Sequence, residues 1–387
     1  MTLPPADHIR GGVQGHNPGL DLVRSAAILL VLYAHASDWF VAGGTETVRA
    51  TYLGAVGVEL FFALSGFLIG GILLRVRDAG LTGNTVGRFW ARRWMRTLPA
   101  YYAVFAGLCW WFGVWDWPGF AFAQNFFPFS RWAPLSPHSW SLVLEEWFYF
   151  LFPLLLLPLH RVRHAVPLLC GVLIVACTLG QALAQRGVLH LAGDPNINPL
   201  LRLDAPAWGV VAAWGVRRRP LTPAAGLLCL LAGLLATTGQ AWAFLLAFDP
   251  ARQAAWHYAL WLPAWSALRV TTTSLGLALV VAGAGALVRR PVPVLSPVAA
   301  QVAALSYALY LTHIPVIFLA KPWEPVLGNG WPGHAAVAGL VVAASLLLRY
   351  AVERPALALR ERLVQDRRAS AKPGTLRGVP TPSPQPP

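Results

Sequence analysis

Arg24 opens the apolar run RSAAILLVLYAH and His35 closes it. In a helix, eleven residues at about 100° each return to within roughly 20° of the starting direction, so the two side chains share one stripe, about 16 Å apart along the axis. A guanidinium suits phosphate, which it clasps with parallel N–H bonds. A neutral imidazole has a pKa of about 6.5 and takes a proton from a hydroxyl. An anion dock and a base at two depths of one helix predict group transfer from a long, anionic donor.

Other ionisable residues fall at comparable depth in other apolar runs. Glu59, Glu145 and His313 lie inside such runs, and Arg202 and Asp204 open another. Charged groups in hydrocarbon are costly and are kept mainly for function. Five helices carrying ionisable groups at one level therefore predict a buried polar cavity, since each group would otherwise be desolvated without a partner. A carboxylate such as Glu145 would orient His35 and stabilise the imidazolium that forms. Glu145 and Glu146 are adjacent and point about 100° apart, so they cannot both face one site.

Arg88, Arg92, Arg93 and Arg96 cluster before the third apolar run. Membrane topology explains such a cluster with no function attached; the alternative is a phosphate-binding funnel. Ser65, in SGF, reads as a packing residue beside Gly66, because small residues let membrane helices approach. The chain has no G-x-S-x-G elbow. His313 either lines the site or hydrogen-bonds between helices. Tyr149 and Tyr307 supply hydroxyls near a substrate or anchor the interface. Arg202 and Asp204, two residues apart, read as inter-helix pairs that shape the outer mouth.

The elements that must position these groups follow from composition. The 387 residues are 56% hydrophobic and only 12% charged, against about 25% charged in a soluble domain. Apolar runs near twenty residues recur along the chain, which predicts an all-α polytopic membrane protein of about ten transmembrane helices around a buried polar cavity. The spans are expected at 19–40, 52–74, 97–115, 140–159, 164–184, 201–216, 222–247, 259–288, 296–319 and 333–352. Pro263 and the TTTS run at 271–274 stand against continuity in the eighth.

Lys and Arg number 30 against 16 Asp and Glu, a net charge of +14. With the N-terminus inside, the segments RVRDAGLTGNTVGRFWARRWMR, HRVRH, RRRP, RRP and RERLVQDRR all fall on one side, while Arg131, Arg186, Arg252 and Lys321 are left outside. That asymmetry predicts a multi-pass protein of the cell inner (plasma) membrane with both termini cytoplasmic, and it excludes nucleic acid as the reason for the charge. Cys109, Cys170, Cys177 and Cys229 lie in apolar runs without metal spacing and read as packing residues. No metal site is expected. Residues 1–18 are expected as a cytoplasmic segment with no cleaved signal peptide. Residues 357–387 are expected as a basic, Pro-rich disordered tail.

Together these residues resemble the acyltransferase 3 family, integral membrane enzymes that move acyl groups onto sugars and other hydroxyl acceptors. The motifs are LDLVRSAAILLVLYAH, GVELFFALSGFLIG, FWARRWMRTLPAYY and HSWSLVLEEWFYFLFP, with weaker echoes in LRLDAPAWG, LSYALYLTHIPV and VERP. Glu59 stands where Asp is commoner and Trp147 where Gln is usual. The resemblance covers roughly residues 18–356 and implies a transmembrane acyltransferase domain over 19–356.

It implies acyl-CoA, by default acetyl-CoA, as co-substrate, with no permanently bound cofactor. The acceptor is a carbohydrate or glycosylated small molecule, and the bilayer is the other partner. His35, Glu145 and Arg24 are expected as catalytic residues, and Arg93 and Arg96 as donor-binding residues. Glu59, Trp140, Ser141, Tyr149, His313, Arg202 and Asp204 are expected to line the cavity. Export of a polar solute is the alternative that ten spans and a polar midplane also allow.

Overall fold

The structure, a computed structural model, describes residues 17–40, 45–128, 135–247, 267–327 and 330–370. The N-terminal segment through residue 16, Arg131, Arg252, Pro263 and the tail beyond residue 370 lie outside the described residues.

Among the described residues, ten helices lie on the ten predicted spans, the eighth described only from residue 267: α1 (Pro18–Phe40), α2 (Thr45–Asp78), α3 (Gly83–Phe112), α4 (Trp140–Leu156), α5 (Ala165–Gln185), α6 (Asp204–Arg218), α7 (Pro223–Ala247), α8 (Ala267–Leu287), α9 (Leu295–Ala320) and α10 (Trp331–Leu348). Among the described residues there is no β-strand. The protein is an all-α, polytopic membrane protein. Among the described residues, eight helical segments are long and apolar enough to cross a bilayer. α3 and α6 are the exceptions. Four arginines occupy the first half of α3, and the 15 residues of α6 span only about 22 Å, short of the ~30 Å hydrocarbon core.

The outer surface explains why this chain needs lipid. Leu227, Leu228, Leu231, Leu234 and Leu235 of α7, and Leu168, Val172, Val175 and Leu179 of α5, are all exposed. Polar side chains take the opposite place: Glu59, Gln124, Asn125, His138, Arg202, Asp204 and His313 are all buried. A soluble helix reverses that arrangement.

α2 is the axial helix and packs on α1, α6 and α8. Its contact with α6 depends on missing side chains. A Cβ on Gly66 would overlap the Pro206 carbonyl, and one on Gly209 would overlap the Ala63 carbonyl. This backbone-to-backbone approach is the small-residue packing of membrane helices. α1 and α9 run parallel. Ser25 donates to the Ala299 carbonyl at 2.8 Å, and ten residues further along α1, His35 meets His313 of α9.

The TTTS run does not interrupt α8. Thr272 donates to Leu268 at 2.7 Å and Ser274 to Val270 at 3.1 Å, each returning to the carbonyl one turn back. At the other end of the chain, a π-helical turn at Arg349–Glu353 leads into α11 (Arg354–Ser370). Residues 357–370, expected as part of a disordered tail, are therefore helical. Charged residues there keep mean hydropathy low but leave helix propensity high, since Arg, Leu, Glu and Gln are good helix formers.

Candidate active site

A cavity lined by both apolar and ionisable side chains lies inside the bundle between α1, α2, α3, α4 and α9. At one end it adjoins a wide vestibule walled by Arg24, Arg75, Arg93, Arg96 and Arg217, with Asp21 as the acidic member. Arg24, Arg93 and Arg96 also line the narrower cavity further in, so the two spaces adjoin at these side chains. Five guanidiniums around one mouth repel one another unless an anion joins them. Arg217 is partly neutralised by Asp78 at 2.6 Å.

One turn deeper, Glu145 of α4 is held by three neighbours. Arg93 Nη2 donates to its carboxylate at 3.1 Å, and the hydroxyls of Ser65 and Tyr149 donate to the same oxygen. Tyr149 sits one helical turn after Glu145, so the two share a face. The Arg93 guanidinium lies 4.1 Å from the centre of the Tyr149 ring, a cation–π arrangement. Ser65 lines the cavity while Gly66, its neighbour, faces α6. Packing therefore explains Gly66, whereas the Ser65 hydroxyl belongs to the cavity.

Ser141 and Tyr310 line the inward end of the cavity. Ser141 is hydrogen-bonded to the Tyr310 hydroxyl, and Tyr310 donates to the His138 carbonyl at 2.8 Å. Beyond them stand three imidazoles from three elements: His35 of α1, His138 of the 3₁₀ turn before α4, and His313 of α9. Ring centres of His35 and His313 are 5.0 Å apart, and those of His138 and His313 are 5.2 Å apart, both edge to face. His35 Nδ1 lies 2.9 Å from the Val31 carbonyl. A carbonyl only accepts, so Nδ1 carries the proton and Nε2 carries the lone pair. That tautomer is the one a general base at Nε2 requires.

The predicted single polar layer is thus two. His138 and Glu145 are seven residues apart on one rising segment, about 10 Å along the axis. The imidazoles lie at the level of His138, and Glu145 lies with the arginines. Glu145 does not orient His35; the Val31 carbonyl does.

Glu59, Arg202 and Asp204 form a third group, away from the cavity wall. Arg202 pairs with Glu59, and its Nε is 3.8 Å from Asp204. Ser274 donates to the other Glu59 oxygen at 3.0 Å. This network ties α2 to α6 and α8. Trp140, also expected on the wall, packs edge to face on Phe62 at 5.9 Å. Among the described residues, no group of three or more His, Cys, Asp or Glu is arranged to hold a metal ion.

Four residues join the site that sequence reasoning left out. Arg75 and Arg217 were absorbed into the topological charge pattern. His138 stands two residues before Trp140, in the HSW of a motif read only from its helical part. Tyr310 precedes His313 by three residues in LTH, the spacing that puts both on one helical face.

Residues 17–350 match the family described as an acyltransferase domain. The peptidoglycan O-acetyltransferase of Listeria monocytogenes is 25% identical over 382 residues, covering 87% of this chain and 55% of that protein. A Bacillus subtilis protein provisionally named a peptidoglycan O-acetyltransferase is 29% identical over 206 residues, covering 46% of this chain and 30% of its own. A Staphylococcus aureus protein provisionally named an O-acetyltransferase is 30% identical over 170 residues, covering 37% and 25% respectively. The chain spans about half the length, or less, of these relatives. No solved structure matches the chain.

Proposed function

Because the chain belongs to the acyltransferase 3 family, we propose that it transfers an acyl group, acetyl by default, from acyl-CoA to a hydroxyl of a carbohydrate or glycosylated acceptor. The observation that carries this reading is a cavity that shares Arg24, Arg93 and Arg96 with the arginine vestibule and reaches Ser141 and Tyr310, both bonded to the His138 carbonyl. Coenzyme A bears a diphosphate and a further phosphate on one end of a long arm and the thioester on the other. Arg24, Arg75, Arg93, Arg96 and Arg217 suit the phosphates. The arm then follows the cavity past Ser65 and Glu145. The spacing it must cover is that of Arg24 and His35, about 16 Å along α1.

In the transfer, His35 Nε2 takes the proton of the acceptor hydroxyl as its oxygen attacks the thioester carbonyl. The C–O bond forms, the C–S bond breaks, and the thiolate leaves with the proton returned from the imidazolium. Ser141 and Tyr310 are the hydroxyls nearest the end of the cavity, and either stabilises the oxyanion by turning a proton toward it. Holding both reactants in this geometry is worth up to about 7–11 kcal/mol, so no covalent acyl-enzyme is needed.

The basic mouth faces the cytoplasm in this account, with both termini on that side of the inner membrane. O-acetyltransferase names among the relatives favour an acetyl donor and an envelope glycan acceptor. Polar-solute export is the weaker reading, since the family is one of acyltransferases.

The test is acetyl transfer from radiolabelled acetyl-CoA in membranes, comparing His35→Ala with the unmodified protein at equal folded amount. The expected loss is about 10²–10⁴-fold, the usual worth of a general base. Undiminished transfer by a folded His35→Ala protein removes the assignment.

A further inference from the structure

His313 carries an inference that rests on the transfer reading and specifies its acceptor. The side chain is fully buried. Its Nδ1 lies 3.1 Å from the Leu309 carbonyl, so, as in His35, Nδ1 carries the proton and Nε2 carries the lone pair. The same device therefore appears twice, in two parallel helices, on two rings 5.0 Å apart. Two lone pairs cannot bond each other. His313 Nε2 accordingly has no hydrogen-bond partner, and His138 Nδ1, in the ring on its other side, has none either.

The donors at hand are directed elsewhere, at rest toward each other and the His138 carbonyl and during transfer toward the oxyanion. Tyr310 donates to the His138 carbonyl and shares a hydrogen bond with Ser141. A buried acceptor left unsatisfied costs about 1–3 kcal/mol. The layer is thus rich in acceptors and short of donors, and its complement is a molecule that brings several O–H groups at close spacing.

We propose that His313 reads the acceptor: its Nε2 takes a hydrogen bond from the hydroxyl next to the one that His35 deprotonates, so the enzyme selects vicinal diols over isolated alcohols. His35 acts on the first hydroxyl as base. His313 binds the second and exchanges no proton with it. A site built to hydrogen-bond a substrate hydroxyl rejects the analogue that lacks it, because the protein's own polar group is then left unpaired.

The experiment uses the full chain in lipid nanodiscs with acetyl-CoA and two probe acceptors, vicinal cyclohexanediol and cyclohexanol. Release of the CoA thiol gives kcat and KM for each. The unmodified protein is expected to prefer the diol by about tenfold or more in kcat/KM, the worth of one net hydrogen bond, mostly through KM. His313→Leu is expected to lose that preference to within about twofold. His313→Gln, which restores an uncharged acceptor atom near the Nε2 position without a base, is expected to keep it.

No diol preference in the unmodified protein overturns the proposal. So does a retained preference in His313→Leu, or a lost one in folded His313→Gln, which would mark His313 as a base or a packing residue. Saturation-transfer NMR of the same probes separates this idea from the transfer reading. Selective diol binding that disappears in His313→Leu, with no CoA released by any form, sustains the subsite and refutes the transfer.

Discussion

Replacing Arg93 with Met keeps the length of the side chain and removes its charge. The structure gives Arg93 two roles that this change can separate. It pairs with Glu145 at 3.1 Å, with side chains 18% and 21% exposed, and it helps wall the arginine vestibule, where the proposed donor would dock. Breaking a fully buried pair costs about 3–5 kcal/mol, and an exposed one contributes about 0–1. A pair four-fifths covered but open to a wet cavity lies between, at about 2 kcal/mol. Loss of the guanidinium over the Tyr149 ring adds about 0.5–1 kcal/mol.

Arg93→Met is therefore expected to lose about 2–3 kcal/mol of stability. Ser65 and Tyr149 still donate to the carboxylate, which keeps the loss from being larger. The double variant Arg93→Met with Glu145→Gln removes the stranded charge and recovers about 2 kcal/mol of that loss as coupling energy. Donor binding behaves differently. One charge-assisted contact to phosphate is worth about 1.5–3 kcal/mol, so KM for acetyl-CoA rises roughly tenfold to a hundredfold. The double variant does not restore it.

The assays are thermal unfolding in nanodiscs and initial rates of CoA release for the two single variants and the double. Additive stability losses would refute the pairing. Recovery of the donor KM in the double variant would refute the phosphate role, since Arg93 would then serve only Glu145.

Glu59→Gln leaves the Arg202 guanidinium, 2% exposed, with Asp204 as its remaining acid; a loss of about 3 kcal/mol is expected, with the acetyl-CoA KM within about twofold of normal, and a large KM change at normal stability would place Glu59 in the cavity instead. Ser65→Ala costs about 1 kcal/mol and leaves a folded protein, whereas Gly66→Val drives side-chain atoms into the Pro206 carbonyl and costs well over 2 kcal/mol; thermal unfolding of the pair checks the order. The vestibule predicts a steep rise of the acetyl-CoA KM with salt, and Arg75→Ala and Arg217→Ala each raise that KM by about two- to fivefold at low salt; salt-independent KM values would count against an arginine-bound donor.

Helix number was legible because each span writes an apolar run of its own length. α3 and α6 are not apolar enough alone to mark a span; they are helices at the expected places, which the one-sided distribution of basic loops suggests. The stripe from Arg24 to His35 was legible because helical register is local. The layering was not. Depths counted from span ends carry errors of several residues, and at 1.5 Å each these merge two layers about 10 Å apart.

Contacts between distant segments were equally hidden. Glu59 and Arg202 are 143 residues apart in the chain, and nothing local marks either as the other's partner. His138 was overlooked because it precedes its helix, where polar residues are unremarkable. Ser65 was assigned to packing because Gly66 beside it does pack, and adjacent helical residues face about 100° apart.

The account turns on a donor that enters at the arginines and reacts at the imidazoles. A structure of the protein bound to the thioether analogue of acetyl-CoA tests this most directly. The account predicts phosphates among Arg24, Arg93 and Arg96, the arm passing Ser65 and Glu145, and the acyl end against Tyr310 within reach of His35 Nε2. An analogue bound with its acyl end away from His35, or with its phosphates outside the arginine vestibule, would contradict it.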